Sequence, residues 1–345
     1  MTSALPPAAK NTSSRAGRPG ELALRLSAET HISYQKALDV VRQASREGRL
    51  PARLDDAGVD LALRVLLGQE SVQWAPGLAG SPWPTSYEPL MSTLPGMRTE
   101  YGRQALAMAT AAPRPGEPVE ADCGFYSPEY LALEIGARRD IVQDKQDGIE
   151  RDVLSWLLEC LDARCAERPQ QFSLPDPRGG HRVDEAIGLA RRGDMTRAEA
   201  VLHRAVKAQP WDIDAYAHLG ILTLMRHDDG EYGDPLSTAT SHARRLCLDE
   251  ALGYFEAAVF VGEALLPLPF TGLLPKDDCS NNAFYRAAGG LAHTLWRLGR
   301  HNAAERTLLS LLYINPLDNY GARYLLPLVR SGQRWTADLG DKYGS

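Results

Sequence analysis

The chain has 345 residues, 44% of them hydrophobic and 24% charged, with a formal net charge of −6. A chain of this length buries about three quarters of its unfolded surface, so its folding requires neither a structural metal nor disulfides. Its acidity excludes the overall basic character typical of proteins that grip nucleic acid phosphates.

Five cysteines form no CxxC pair and leave one over when four pair, which points to a reducing cytoplasm. The first residues lack the unbroken apolar core of an export signal. The most apolar stretch, 257–275, contains Glu263 and the prolines Pro267, Pro269 and Pro275, which a membrane-spanning helix would have to accommodate. No membrane span is expected.

Residues 1–20 are rich in Ala, Pro, Ser, Thr and Gly and carry no apolar periodicity, so a disordered tail is expected there. Residues 21–175 read as an N-terminal helical region of unknown role. In it Ile32, Ala37, Leu38 and Val41 recur at helical spacing until Gly48 and Pro51, and Asp56 is placed to cap a second helix built on Val59, Leu63, Leu66 and Leu67. The stretch 69–96 sets Trp74, Trp83 and Tyr87 among five prolines, Pro76, Pro82, Pro84, Pro89 and Pro95. Neither helix nor central strand tolerates that density. The loop is either a recognition surface or a strap pinned to the core by its tryptophans, and the second reading weighs more.

Helical spacing returns over 99–111, breaks at Pro113, Pro115 and Pro118, and resumes at Pro128. Leu131, Leu133 and Ile135, then Ile149, Val153, Trp156, Leu157, Leu158 and Leu161, predict one long helix or two consecutive ones. Pro169, Pro175, Pro177, Gly179 and Gly180 mark a linker, and a domain boundary is expected at 176–182.

Beyond it the chain repeats itself. Ala198, Leu202, Ala205 and Pro210 share their spacing with Ala304, Leu308, Leu311 and Pro316, while a middle copy has Ala251, Phe255 and Ala258 and then Glu263 in place of the proline. Tyr216, Leu219 and Gly220 open one copy, Ala288, Leu291, Ala292 and Leu295 another, and Ala322, Leu325, Leu326 and Val329 a further one. These motifs resemble the tetratricopeptide repeat over roughly residues 183–335, and the third copy looks especially like uncharacterised bacterial members of that family. The resemblance implies an all-α fold in which the N-terminal helical region is followed, over 183–345, by a tetratricopeptide-like α-solenoid of about three to four irregular repeats. Ala198, Ala251 and Ala304 lie 53 residues apart, more than the family's period of about 34. Two insertions are therefore implied, at 227–242 and 265–282, and both are candidate functional loops.

In such a stack the first helix of each pair lines the concave face. Counting round the helices places there Asp184, Ile187, Arg191, Asp214, His218 and Ile221, and then Arg286, His293, Trp296, Arg297, Tyr320, Arg323, Tyr324 and Arg330. Of these, Arg191, His218, Arg286, His293, Trp296, Arg297, Tyr320, Arg323 and Tyr324 are the expected partner-binding residues. Guanidinium forks among aromatic rings suit carboxylates, so the expected partner is a protein or peptide, acidic in character, with neither nucleic acid nor membrane involved. Ordinary solvated helix faces weigh about equally as an explanation of the arginines. The family's known carboxylate-binding groove uses lysines and asparagines at set places, a pattern this chain does not reproduce, so binding of chaperone tails is not implied. Asp212 and Asp318 read as helix caps.

No cofactor is expected. His227, Asp228, Asp229, Glu231, Asp234 and His242 cluster in one insertion but follow no zinc or calcium spacing, and a solvated charged loop is the stronger reading. GxSxG, GxGxxG and the phosphate-binding GxxxxGK[ST] are absent. The function expected is a scaffold or adaptor module. Its rivals are an enzyme or ligand sensor with its site in 21–175 and the repeats as a regulatory arm, and a transcription regulator using the basic stretch 36–54, which lacks a clear turn.

Overall fold

In a computed structural model the described residues are 18–30, 32–46, 59, 62–63, 66–67, 82–93, 100–121, 125–143, 149–175, 180–228, 238–333 and 335. They belong to two compact units, Met1–Gln73 and Trp74–Ser345. The described residues are mostly helical.

The first unit contains α1 (Arg18–Thr30) and α2 (Tyr34–Arg46), packed together. Leu22, Leu26, Ala37 and Val41 from these helices close a small core with Val59, Ala62 and Leu63. The Ser27 hydroxyl donates to the Ile32 carbonyl at 2.6 Å and ties the turn between them. Gly48, Pro51 and Asp56, expected to stop one helix and cap the next, lie outside the described residues, as do residues 1–17 of the expected tail.

The second unit begins its described part with a strap, 82–93, ending in the single turn α3 (Leu90–Thr93). Then come α4 (Glu100–Ala111), β1 (Val119–Glu120), α5 (Pro128–Gln143), α6 (Ile149–Ala166) and β2 (Phe172–Ser173). The two short strands pair antiparallel. The helices after them are α7 (Gly180–Arg191), α8 (Met195–Ala208), α9 (Ile213–Asp228), α10 (Thr238–Glu263), α11 (Asn282–Arg297), α12 (His301–Ile314) and α13 (Ala322–Arg330). Each packs on the next in sequence, and α9 also packs on α11.

Local chemistry makes these junctions alike. Gly193, Gly299 and Gly332 all adopt left-handed φ values, of 82°, 73° and 72°, and each follows a helix that closes with the residue after glycine bonding back to a carbonyl. That is the usual way a helix terminates with glycine. The Pro-marked turns agree as well: Gln209 and Asn315 end their helices at φ −139° and −144°. Asp212 and Asp318 then accept from the backbone N–H of Ala215 at 3.0 Å and of Ala322 at 2.7 Å. Both aspartates thus cap the helix that follows.

One continuous hydrophobic cluster runs from Tyr87 to Val329. It takes Tyr126, Leu131, Ile135, Leu157 and Leu161 from the segment before residue 176 and Leu202, Phe255, Leu291 and Leu312 from the segment after 182. The expected boundary at 176–182 therefore does not separate two cores; the chain divides between Gln73 and Trp74, and residues 176–179 are outside the described part. The helices 128–143 and 149–166 are two, not one, and α6 packs on α13 and α12.

The strap is pinned, as the heavier reading of the proline-rich loop requires. Trp83 lies edge-on to Trp156, with ring centroids 6.5 Å apart, and 6.1 Å from Tyr313. Glu263 ends α10 buried, accepting from the Tyr87 hydroxyl at 2.8 Å and from the N–H of Leu90 at 2.5 Å and Met91 at 3.3 Å. Trp74 lies outside the described residues.

The insertion at 265–282 is built into the same core. Phe172 N donates to Leu273 O at 2.8 Å and Tyr87 N to Phe270 O at 2.8 Å. The Asn281 amide donates to the carbonyls of Phe172 and Pro275 while its oxygen accepts from Leu174 N. Arg164, 2% exposed, donates to the carbonyls of Tyr313, Thr271 and Gly272 and stacks its guanidinium on the Tyr313 ring at 4.1 Å. A loop so satisfied serves the fold first. Of the insertion at 227–242, residues 229–237 are outside the described part.

Candidate functional site

Asn282, Arg286, Gly290, His293 and Arg297 follow one another along α11 at helical spacing and line a single cleft of ≈ 420 Å³. Spacings of three and four put such residues on one stripe of a helix. Ile221 and Leu224 of α9 form one wall, Tyr320 and Trp335 another, and Lys276 joins from the 265–282 insertion. Sixteen residues of helix extend about 24 Å, so the stripe is long relative to one side chain.

The floor depends on glycine. A Cβ on Gly290 would come within 2.1 Å of the Phe255 ring, and one on Gly289 within 1.8 Å of the Tyr320 hydroxyl. Bare backbone at these two positions lets α10 and the 315–321 turn approach α11 closely.

The polar groups of the cleft are unequal. Arg286 Nε donates to Asp214 Oδ1 at 2.7 Å, and its two terminal nitrogens have no partner among the described residues. Burial opposes ionisation of Asp214, but hydrogen bonds from His218 and Arg286 outweigh it and hold its carboxyl below the usual range. Burial, and then the Arg297 charge, depress His293 to a pKa of about 4, so at neutral pH it is an uncharged imidazole. Arg297 stacks on the Trp335 ring at 4.4 Å. Among the described residues no carboxylate lines this cleft.

The remaining expected residues are distributed otherwise. Arg191 and His218 line a different hollow, of ≈ 280 Å³, with Ile187, Leu202, Leu222 and Met225. Trp296 is 2% exposed and donates its indole N–H to Gln333 O at 2.6 Å; it belongs to the core and does not line the cleft. Arg323 bonds the buried Asp318 carboxylate at 3.0 Å and lies on the Tyr324 ring at 4.4 Å. It completes the α13 cap, and neither it nor Tyr324 lines the cleft. Arg330 is likewise engaged, with buried Glu305 at 2.7 Å and the Trp156 face at 4.3 Å.

Trp335 and Lys276 were not anticipated. Trp335 lies past the last repeat motif, and Lys276 sits in an insertion, so neither falls on a periodic position.

Among the described residues no group of three or more His, Cys, Asp and Glu side chains is arranged to hold a metal ion, and no helix is long and apolar enough to cross a membrane. The side chains of His227, Asp228, Asp229, Glu231, Asp234 and His242 are outside the described set. Compared with models of protein families, with curated proteins and with solved structures, the chain finds no match.

Proposed function

We propose that the second unit is a tetratricopeptide-like helical stack that holds an acidic segment of a protein partner along α11. The repeat reading is supported by the recurrent glycine turns and by the two matching Pro-marked junctions. The observation that carries the binding reading is that Arg286, whose terminal nitrogens have no partner among the described residues, shares one aromatic-walled cleft with Arg297 and Lys276. Guanidinium groups pair both oxygens of a carboxylate, and a cluster of like charge in a concave wall attracts its opposite from a distance.

A fluorescein-labelled oligoglutamate added to the whole chain tests this by anisotropy, with oligolysine as the control. Arg286→Ala and Arg297→Ala are each expected to weaken oligoglutamate binding about tenfold, or about 1.4 kcal/mol, and added salt to weaken it further. Equal binding by wild type and by variants with unchanged melting curves overturns the proposal.

A further inference from the structure

We infer that the partner segment presents a carboxamide, the side chain of Asn or Gln, two residues from the acidic side chain that Arg286 holds. The inference rests on the acidic-segment reading above and concerns the uncharged groups of the same cleft. Tyr320 and His293 both line it, and both are partly buried, so a ligand can reach them. Neither the Tyr320 hydroxyl nor the His293 ring has a hydrogen-bond partner among the described residues. Both are uncharged at neutral pH: burial and the Arg297 charge keep the imidazole neutral, while burial and the Asp318 charge raise the Tyr320 phenol above its ordinary range.

Position along α11 orders these groups. The Tyr320 hydroxyl stands against Gly289, which follows Arg286 by three residues and precedes His293 by four. Helical rise puts Gly289 about 4.5 Å and His293 about 10.5 Å along the axis from Arg286. The hydroxyl and the imidazole are thus centred about 7.5 Å beyond the level of Arg286. In an extended segment, residues two apart share one face and lie about 6.6 Å from each other. With its acidic residue at Arg286, such a segment running along α11 brings the residue two positions away between Tyr320 and His293.

The chemistry of the pair selects what that residue carries. A neutral imidazole has one N–H donor and one bare nitrogen, and a phenol hydroxyl can donate one bond and accept others. An aliphatic side chain there would take both groups out of water and bond neither. A second carboxylate could accept from the hydroxyl, but it offers no donor to the bare nitrogen and adds a charge removed from water. A carboxamide supplies an NH₂ group for the bare nitrogen and a carbonyl oxygen for the hydroxyl, and it brings no charge.

Labelled peptides in a Gly–Ser background test the inference by anisotropy on the whole chain. One carries Glu alone; the others carry Glu with Gln, Asn, Leu or a second Glu two positions away, in both orders. The best Gln or Asn peptide is expected to bind about tenfold tighter than the Glu peptide and to exceed the Leu and second-Glu peptides. Tyr320→Phe removes only the hydroxyl. It is expected to bring the carboxamide peptides down to the Leu peptide's affinity, to leave the Glu peptide unchanged, and to keep the wild-type melting temperature. His293→Leu, a second variant, is expected to abolish the same advantage. If a Leu or second-Glu peptide binds as tightly as the best carboxamide peptide, the carboxamide is overturned and the acidic cleft stands. If no peptide carrying Glu binds, both readings fall. If both variants, still folded, keep the carboxamide advantage, or weaken the Glu peptide equally, Tyr320 and His293 do not read a carboxamide and the inference is overturned.

Discussion

Glu263 occupies the place held by proline in the first and third helix pairs, and its surroundings account for the exchange. Its carboxylate receives the Tyr87 hydroxyl and the first two N–H groups of α3, which no proline could do. Burial raises its pKa from 4.5 to about 7 against the pull of those donors. A carboxyl whose pKa is higher folded than unfolded binds more protons in the native state. Its contribution to stability is therefore full below about pH 4.5 and is lost as pH rises towards 7. Glu263→Gln, which keeps a carbonyl for the backbone donors, should remove this pH dependence, an effect on the order of 3 kcal/mol, visible in urea midpoints measured between pH 4.5 and 8. Parallel curves for the two proteins would show that Glu263 does not titrate in that window. At this scale the sequence reveals residue types but not their occupation. Arginines at equivalent-looking positions divide into Arg286, whose terminal nitrogens have no partner among the described residues, and Arg323, engaged by the cap that Asp318 makes. Only the distances separate them.

Among the elements, α11 shows what periodicity can and cannot disclose. Its cleft stripe was legible in part, because Arg286, His293 and Arg297 fall at spacings of three to four and share a face. Its depth was not, since this depends on which bulky side chains approach Gly289 and Gly290. Phe255 approaches Gly290 from 35 residues away in the chain and Tyr320 approaches Gly289 from 31. Gly290→Ala would gain helix propensity of about 1 kcal/mol, but the Phe255 ring stands where the methyl must go. Overpacking of this kind costs about 1–3 kcal/mol, so the variant should melt no higher than wild type and should lose oligoglutamate affinity as α11 shifts. A rise in melting temperature with unchanged affinity would mean that Phe255 yields freely. The helices themselves were legible because helical spacing and glycine stops are local signals. The role of the 265–282 insertion was not, because its partners Tyr87, Arg164 and Phe172 come from the other half of the chain.

For the molecule as a whole, the cluster of prolines and glycines at 169–180 imitates a linker because both residue types interrupt helices wherever they fall. Interruption of secondary structure is not interruption of a core, and here Tyr87, Tyr126, Leu157 and Leu161 pack into the cluster that also holds the later helices. A protein cut to 176–345 should consequently lose cooperative thermal unfolding, whereas one cut to 74–345 should retain it. A sharp, reversible transition for 176–345 would restore the boundary read from composition. The first unit, with its own small core around Leu22, Leu26 and Val41, is the part that composition failed to set apart, since 69–96 reads as a loop within a region and not as the end of one.

The buried guanidinium of Arg164 carries a consequence for how this chain can vary over evolutionary time. Its acceptors include the carbonyls of two successive residues, Thr271 and Gly272, and a third carbonyl on α12. Main-chain oxygens are supplied by every amino acid, so the contact tolerates exchange of side chains at 271 but not a change in the number of residues there. Adding or deleting one residue would move the acceptors out of reach and leave a cation buried without them, a costly state. Among relatives of this chain, loop length at 271–272 should therefore be held more strictly than loop composition.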